Sequence, residues 1–145
     1  KNSFKISNID FFENENHIKL VASHNGYEKK FNCIHKREIS MNKKTRNLVG
    51  CDGLIKKKNG KPLNYNIRFH LYPGLTPVIT MSGNSVLIPL SKNKSLLFTI
   101  KGESIRLEKS IFLGANKILE NTCVTVSGNL VNKDKFIQWE IKRNF

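Results

Sequence analysis

Six side chains carry most of the chemistry this sequence offers: His24, Tyr27, His35, Arg37, Asp52 and His70. Imidazole, phenol and carboxylate groups pass protons once their surroundings tune them, and a guanidinium holds an oxyanion in a fork of N–H donors. No two histidines are separated by one or three residues, so no local pair has the spacing of metal ligands. A site made of His35, Asp52 and His70 would have to be assembled by the fold. A serine or cysteine nucleophile is not signalled, because there is no Gly-x-Ser-x-Gly elbow and no thiol beside an expected base. Phosphate-cradling glycine loops are absent as well. The expected chemistry is carboxylate binding or proton transfer. No catalytic residue is assigned, and no metal or cofactor is expected in this chain.

The stretch that must position these groups is Ser23 to Met41. From Phe31 onward it alternates with period two, which predicts a strand. Phe31, Cys33, His35, Arg37, Ile39 and Met41 share one face, and Asn32, Ile34, Lys36, Glu38 and Ser40 share the wet one. A histidine and an arginine amid apolar neighbours need a partner or a cavity to offset their desolvation. The plainest arrangement is a satisfied polar cluster with Asp52 or Glu38; the functional one is a cleft-lining face. Asn25-Gly26 ahead of the strand predicts a tight turn with positive φ angles. His70 shares a face with Asn66 and Arg68, which reads as an outer surface, and Tyr27 reads as a strand-end aromatic.

The remaining elements follow the same rhythm. Strands are expected over residues 3–9 and 17–23, joined by the acidic turn Glu13 to Asn16, with Phe4, Ile6, Ile18, Leu20 and Ala22 as core positions. In the strand 47–55, Gly50, Gly53 and the mid-strand Asp52 predict a bulge or a close backbone approach. Asn59-Gly60 predicts a hairpin leading into a strand over 64–72, and Ser82 to Ser85 predicts another. Strands are expected at 77–81, 86–90, 96–101, 104–108, 110–113, 122–128 and 136–143. No window of 11 or more residues sustains a helical period. About ten short strands separated by turn signals predict an all-β antiparallel sandwich.

A chain of 145 residues, 39% hydrophobic with nine Phe and one Trp, suits one folded domain and argues against disorder. No apolar run approaches the roughly 18 residues of a membrane span. There is no initiator Met and no signal peptide, so the sequence reads as a piece of a longer protein. Cys33, Cys51 and Cys123 are widely spaced and lie in strand-like runs, which predicts buried free thiols rather than disulfides or a zinc ribbon.

A formal charge of +14 points to polyanionic partners. Twenty of the 25 basic residues are Lys, accompanied by many Asn and Ile, which matches a compositional bias of the coding sequence. The densest clusters, Lys43-Lys44 with Arg46 and Lys56-Lys57-Lys58 with Lys61, fall in expected turns, where solvated lysine is ordinary. Binding there is expected to be nonspecific and sensitive to salt.

Several segments together carry a resemblance. They are Ser23-His24-Asn25-Gly26-Tyr27, Phe31 with Ile34-His35-Lys36-Arg37, Gly50-x-Asp52, Ile67-Arg68-Phe69-His70-Leu71-x-Pro73-Gly74, Phe112-Leu113-Gly114 and Trp139-Glu140-Ile141-Lys142-Arg143. In this order, from Leu20 to the C-terminus, the chain resembles the C-terminal β-domain of bacterial heparinase II/III-like proteins. Relatives tend to carry Asp at the position of Asn25 and Arg at that of Lys36. The resemblance implies a parent polysaccharide lyase that cleaves uronic-acid-containing glycans by β-elimination, with an (α/α) toroid packed on an antiparallel β-sandwich. That chemistry needs the uronate carboxylate neutralised, the C5 proton removed and the leaving oxygen protonated. The toroid and a His-rich segment, which hold much of the machinery in the family, would lie upstream of Lys1, and a metal site there stays open. By this resemblance residues 1–145 form a single sandwich whose partners are an acidic polysaccharide and the toroid, with no membrane or nucleic-acid role. His24, Tyr27, His35, Arg37, Asp52 and His70 would be cleft-lining or substrate-binding, and the isolated piece would be inactive. The alternative is a stand-alone carbohydrate- or polyanion-binding module. The compartment, periplasmic or cytoplasmic, is left open.

Overall fold

The computed structural model describes residues 4–57, 61–114, 116–131 and 133–145. Eleven strands and one helical turn follow in the order β1 (Ile6–Glu13), β2 (His17–His24), α1 (Glu28–Phe31), β3 (Cys33–Asn42), β4 (Leu48–Lys56), β5 (Leu63–His70), β6 (Val78–Ile79), β7 (Ser85–Ser91), β8 (Lys94–Ile100), β9 (Ser104–Gly114), β10 (Lys117–Leu130) and β11 (Lys135–Asn144). They form an antiparallel sheet of order β1-β2-β3-β4-β11-β8-β7-β6 and a second of order β5-β10-β9. The chain is thus an all-β sandwich protein, as the strand alternation predicts. The two stretches expected at 104–108 and 110–113 are one continuous strand, β9. The hairpin expected at Asn59-Gly60 lies outside the described residues.

By its contacts the chain divides into two compact units: Lys1–Asn64 with Asn129–Glu140, and Tyr65–Gly128 with Ile141–Phe145. The core of the second unit is built from Val86, Ile88, Phe98, Ile100, Ile105, Val124 and Val126. Phe69 of β5 and Phe98 of β8 belong to different sheets, and their rings meet at 4.8 Å between centroids with planes tilted by 55°. Cys123, Val124, Thr125 and Val126 are buried in succession, as in a strand covered on both faces. Thr125 remains satisfied there because its hydroxyl donates to Glu108 Oε2 at 2.7 Å.

The first unit is organised by the register of β2, β3 and β4. Asn14 Oδ1 accepts the N–H groups of Asn16 and His17 at 2.9 and 2.7 Å, which closes the β1–β2 turn. Asn42 Oδ1 does the same for Lys44 and Thr45 at 3.0 and 2.9 Å in the β3–β4 turn. Between these turns β2 faces β3 with Leu20 opposite Ile39, Ala22 opposite Arg37 and His24 opposite His35. β3 in turn faces β4 with Ile39 opposite Gly50, Arg37 opposite Asp52 and His35 opposite Leu54. Directly opposed residues share a face. Rows of the same face therefore run Leu20–Ile39–Gly50, Ala22–Arg37–Asp52 and His24–His35–Leu54.

Three sequence expectations are corrected here. The strand expected from Phe31 starts at Cys33, because Glu28–Phe31 form one helical turn that Asn32 ends in the left-handed region at φ 54°. The residues with positive φ are Asn8, Arg46 and others, not Asn25 or Gly26, so the turn after β2 is helical in kind. Phe4, Ile6 and Leu20 are exposed rather than core, Ile6 in β1, an edge strand exposed along its whole length, Phe4 just before it and Leu20 on β2 beside it, while Ile18 and Ala22 are half-buried. The core of the first unit instead holds Val21, Cys33, Leu54, Leu130, Ile137 and Trp139. Cys33 and Cys123 are buried free thiols, as expected, and Cys51 is half-buried.

Candidate functional site

The register places the carboxylate of Asp52 across from Arg37, and Asp52 has no exposed surface. A buried carboxylate is tolerable only with donors around it, and it has four N–H groups. Arg37 Nε donates to Oδ1 at 2.7 Å and Nη2 to Oδ2 at 3.1 Å, a two-pronged pairing. His35 Nε2 lies 2.7 Å from Oδ1, and Trp139 Nε1 donates to Oδ2 at 2.8 Å. Burial pushes the Asp52 carboxyl up, but hydrogen bonds from His35 and Arg37, the Arg37 charge and the Trp139 N–H outweigh it. The carboxyl is held below its ordinary range.

Trp139 reaches Asp52 because β4 carries no side chain at residue 50. A Cβ built on Gly50 would lie 2.0 Å from the indole Cζ2, so the ring rests on bare backbone. A Cβ at Gly53 would meet Phe136 at 3.2 Å. The β3–β4 register runs past these glycines without a shift. The close approach, the other expectation, is what occurs.

From Asp52 the hydrogen bonds continue outward. His35 Nδ1 lies 3.2 Å from His24 Nε2, and the Gly26 N–H donates to His24 Nδ1 at 3.2 Å. One proton assignment satisfies every contact. Gly26 fixes His24 Nδ1 as an acceptor, so Nε2 carries the proton and donates to His35 Nδ1; His35 Nε2 then carries its proton to Asp52. Both imidazoles are neutral in this arrangement. Burial first and the nearby His35 second lower the His24 pKa, which favours the neutral form. Tyr27, half-exposed at the start of α1, sets its ring 5.2 Å from that of His24, with Phe4 at 6.0 Å.

The structure thus joins His24, His35, Arg37 and Asp52, with Tyr27 against His24. Glu38, the other partner considered for Arg37, is on the opposite face and pairs with Lys19 at 2.7 Å. His70 is in the second unit, with Nδ1 3.0 Å from Ser110 Oγ. Its neighbours on the strand are engaged too: Asn66 accepts from Ser127 at 2.7 Å, and Arg68 Nε lies 3.7 Å from Glu108. Sequence reasoning missed Trp139 as a member of the cluster. The available signal was a single buried indole, which needs an acceptor, together with a glycine in mid-strand. Among the described residues, no group of three or more His, Cys, Asp or Glu side chains is placed to hold a metal ion.

An all-β sandwich with a buried carboxylate that anchors an arginine and two linked histidines is the class of protein that emerges. More particularly, residues 2–140 match the model of the family "Heparinase II/III-like, C-terminal", and the chain belongs to that family. No curated protein sequence matches it. Among solved structures it is similar to the heparan sulfate lyase HepC from Pedobacter heparinus, with a TM-score of 0.82 and 16% identity over 97% of this chain and 22% of that one. It is also similar to the heparinase III BT4657 gene product, with a TM-score of 0.76 and 15% identity over 97% of this chain and 21% of that one. A structure described as heparinase III gives a TM-score of 0.74 and 18% identity, covering 98% and 21%. The chain therefore spans about a fifth of the length of these solved chains.

Proposed function

We propose that this chain is the β-sandwich portion of a polysaccharide lyase that cleaves an acidic, uronic-acid-containing glycan by β-elimination. The observation that carries the reading is the family match over residues 2–140, supported by the same fold in solved lyases more than four times as long. In this reading the face with His24, Tyr27, His35 and Arg37 lines part of the substrate cleft, against the helical toroid of the parent. Asp52 and Trp139 act as positioning residues. They hold Arg37 and His35 at fixed angles, so that little reorganisation is needed when a carboxylate approaches. Arg37, whose side chain is 35% exposed, is the group suited to meet the glycan carboxylate. His70, engaged with Ser110, has the weakest claim among the six.

In this reading the catalytic acid and base belong to the parent outside this chain, and the isolated chain is inactive because general acid–base chemistry needs groups within hydrogen-bond reach of the substrate. The test follows ultraviolet absorbance of the unsaturated uronate product from heparin, heparan sulfate and alginate. The parent protein is expected to produce it and the 145-residue chain to produce none. Parent carrying Arg37→Ala is expected to turn over more slowly than wild type. Steady product from the pure 145-residue chain, or none from the parent on any uronate glycan, overturns the reading.

A further inference from the structure

The Asp52 cluster presents a single partly exposed cation, Arg37, whose charge is shared with the buried Asp52 carboxylate. A denser group of cations lies elsewhere in the first unit. Three segments distant in sequence meet at the end of the sheet where β3 begins. β4 ends there, with Lys56 opposite Cys33, and the Lys57 N–H donates to the Asn32 carbonyl at 3.0 Å. The Lys57 ammonium pairs with Glu28, which brings in α1 and its Lys29 and Lys30. The Lys56 N–H donates to Asp134 Oδ1 at 2.8 Å and its ammonium donates to the Val131 carbonyl, which brings in the β10–β11 turn with Lys133 and Lys135. Six lysines thus stand against two carboxylates, Glu28 and Asp134. The sequence shows these lysines as separate short runs and not as one grouping.

We propose that this lysine-rich end of the first unit is a binding surface for a carboxylated or sulfated glycan chain, adjoining the His24 and Tyr27 end of the candidate cleft. The choice of glycan rests on the lyase reading; the surface itself does not. Two features favour a polymer of discrete anions. Lys56 and Lys135 are already tied to backbone carbonyls, Lys135 Nζ lying 3.5 Å from Asn129 O, so they lose less side-chain freedom on binding than free lysines do. The lysines also come as three separated pairs, 29 with 30, 56 with 57 and 133 with 135, which suits anions spaced along a chain. The other basic turn differs, because its cations, Lys43, Lys44 and Arg46, come from one segment rather than three.

Calorimetric titration of the 145-residue chain with heparin, over a series of salt concentrations, tests the proposal. One variant combines Lys29→Gln, Lys30→Gln and Lys133→Gln, all exposed positions. A charge-matched control combines Lys43→Gln, Lys44→Gln and Arg46→Gln. The first variant is expected to bind roughly tenfold or more weakly, with a salt dependence shallower by about one unit per lost contact. The control should stay within about threefold of wild type, the cost of lower net charge alone. Heparin is also expected to shift the wild-type amide resonances of residues 29, 30, 57 and 133. Equal losses in the two variants, or amide shifts centred on residues 43–46, overturn the surface. Binding of an oligothymidylate as tight as that of heparin, and equally dependent on the three lysines, overturns its assignment to glycans. None of these readouts requires the parent to have lyase activity, so the two ideas fail separately.

Discussion

Arg37 and Asp52 stand directly opposite each other on β3 and β4, and the guanidinium reaches both carboxylate oxygens, at 2.7 and 3.1 Å. Because Asp52 is fully buried, Arg37→Ala strands a charge that water cannot reach. Breaking a buried pair costs about 3–5 kcal/mol, and the lower end is expected here, since His35 and Trp139 still donate and Arg37 is partly exposed. Chemical denaturation of wild type and variant measures it. A change below about 0.5 kcal/mol, ordinary for a surface substitution, would mean that the pairing contributes nothing.

Gly50→Ala is expected to be at least as harmful as many core truncations. The added methyl would lie 2.0–2.5 Å from three atoms of the Trp139 ring, so the indole must leave its place and Asp52 loses that donor. Trp139→Phe keeps most of the ring but removes the N–H, and should cost about 1–3 kcal/mol for an acceptor left short of a partner. Indole fluorescence separates the cases. Gly50→Ala should shift the emission to the red as the ring becomes wetter, and an unshifted spectrum with wild-type stability would contradict the contact.

The proton arrangement inferred for the two histidines is directly observable. Nitrogen-15 spectra near neutral pH should show both His24 and His35 with the proton on Nε2. A proton on Nδ1 of His24 would break the Gly26 contact and the chain of bonds with it.

Acid should weaken the fold in two stages. The unfolded chain takes up a proton on His24 near the ordinary value of 6.5, while the folded chain resists it, so stability declines as pH falls from there toward the lowered folded value. Asp52 adds a second decline below its ordinary value of 3.8, since its carboxyl is held lower still in the folded state; its contribution is complete above that range. Urea melts at about pH 8 and about pH 5 should show a drop in wild type that is smaller in His24→Gln. Equal drops in both would remove His24 as the source.

The three thiols should label slowly in the native state. Burial raises the pKa of Cys33, Cys51 and Cys123 and so reduces the thiolate that reacts. Cys51, only half-buried, is expected to react first. Mass spectrometry after brief alkylation reads the order, and rapid labelling of Cys123 would show that the β10 core opens.

Much of the cluster was legible because a strand's period of two is strict. Once β3 was recognised, His35 and Arg37 had to share a face, and Asp52 was one of two acids able to answer them. Register decided between the candidates: Arg37 falls opposite Asp52, whereas Glu38 points away. Register depends on how three strands pair, and no single segment encodes that. Trp139 was out of reach for the same reason, since 87 positions separate it from Asp52. Helical α1 was missed because one turn leaves no periodic trace. The exposed Phe4, Ile6 and Leu20 were misjudged because alternation reports which residues share a face, not whether anything covers it.

The edge strand β1 carries a consequence for self-association. Its pairing with β2 is interrupted between Ser7 and Asp10, where Asn8 is left-handed, so only Asp10 to Glu13 continue a regular ladder at the edge. That stretch is Asp-Phe-Phe-Glu, an aromatic pair between two acids. Stacked assemblies need uninterrupted segments of about six or seven residues with little charge. The kink shortens the available template, and the flanking carboxylates repel their own copies when molecules align edge to edge. A strand rich in phenylalanine and isoleucine thereby presents only a short, acidic stretch of regular edge to a second copy.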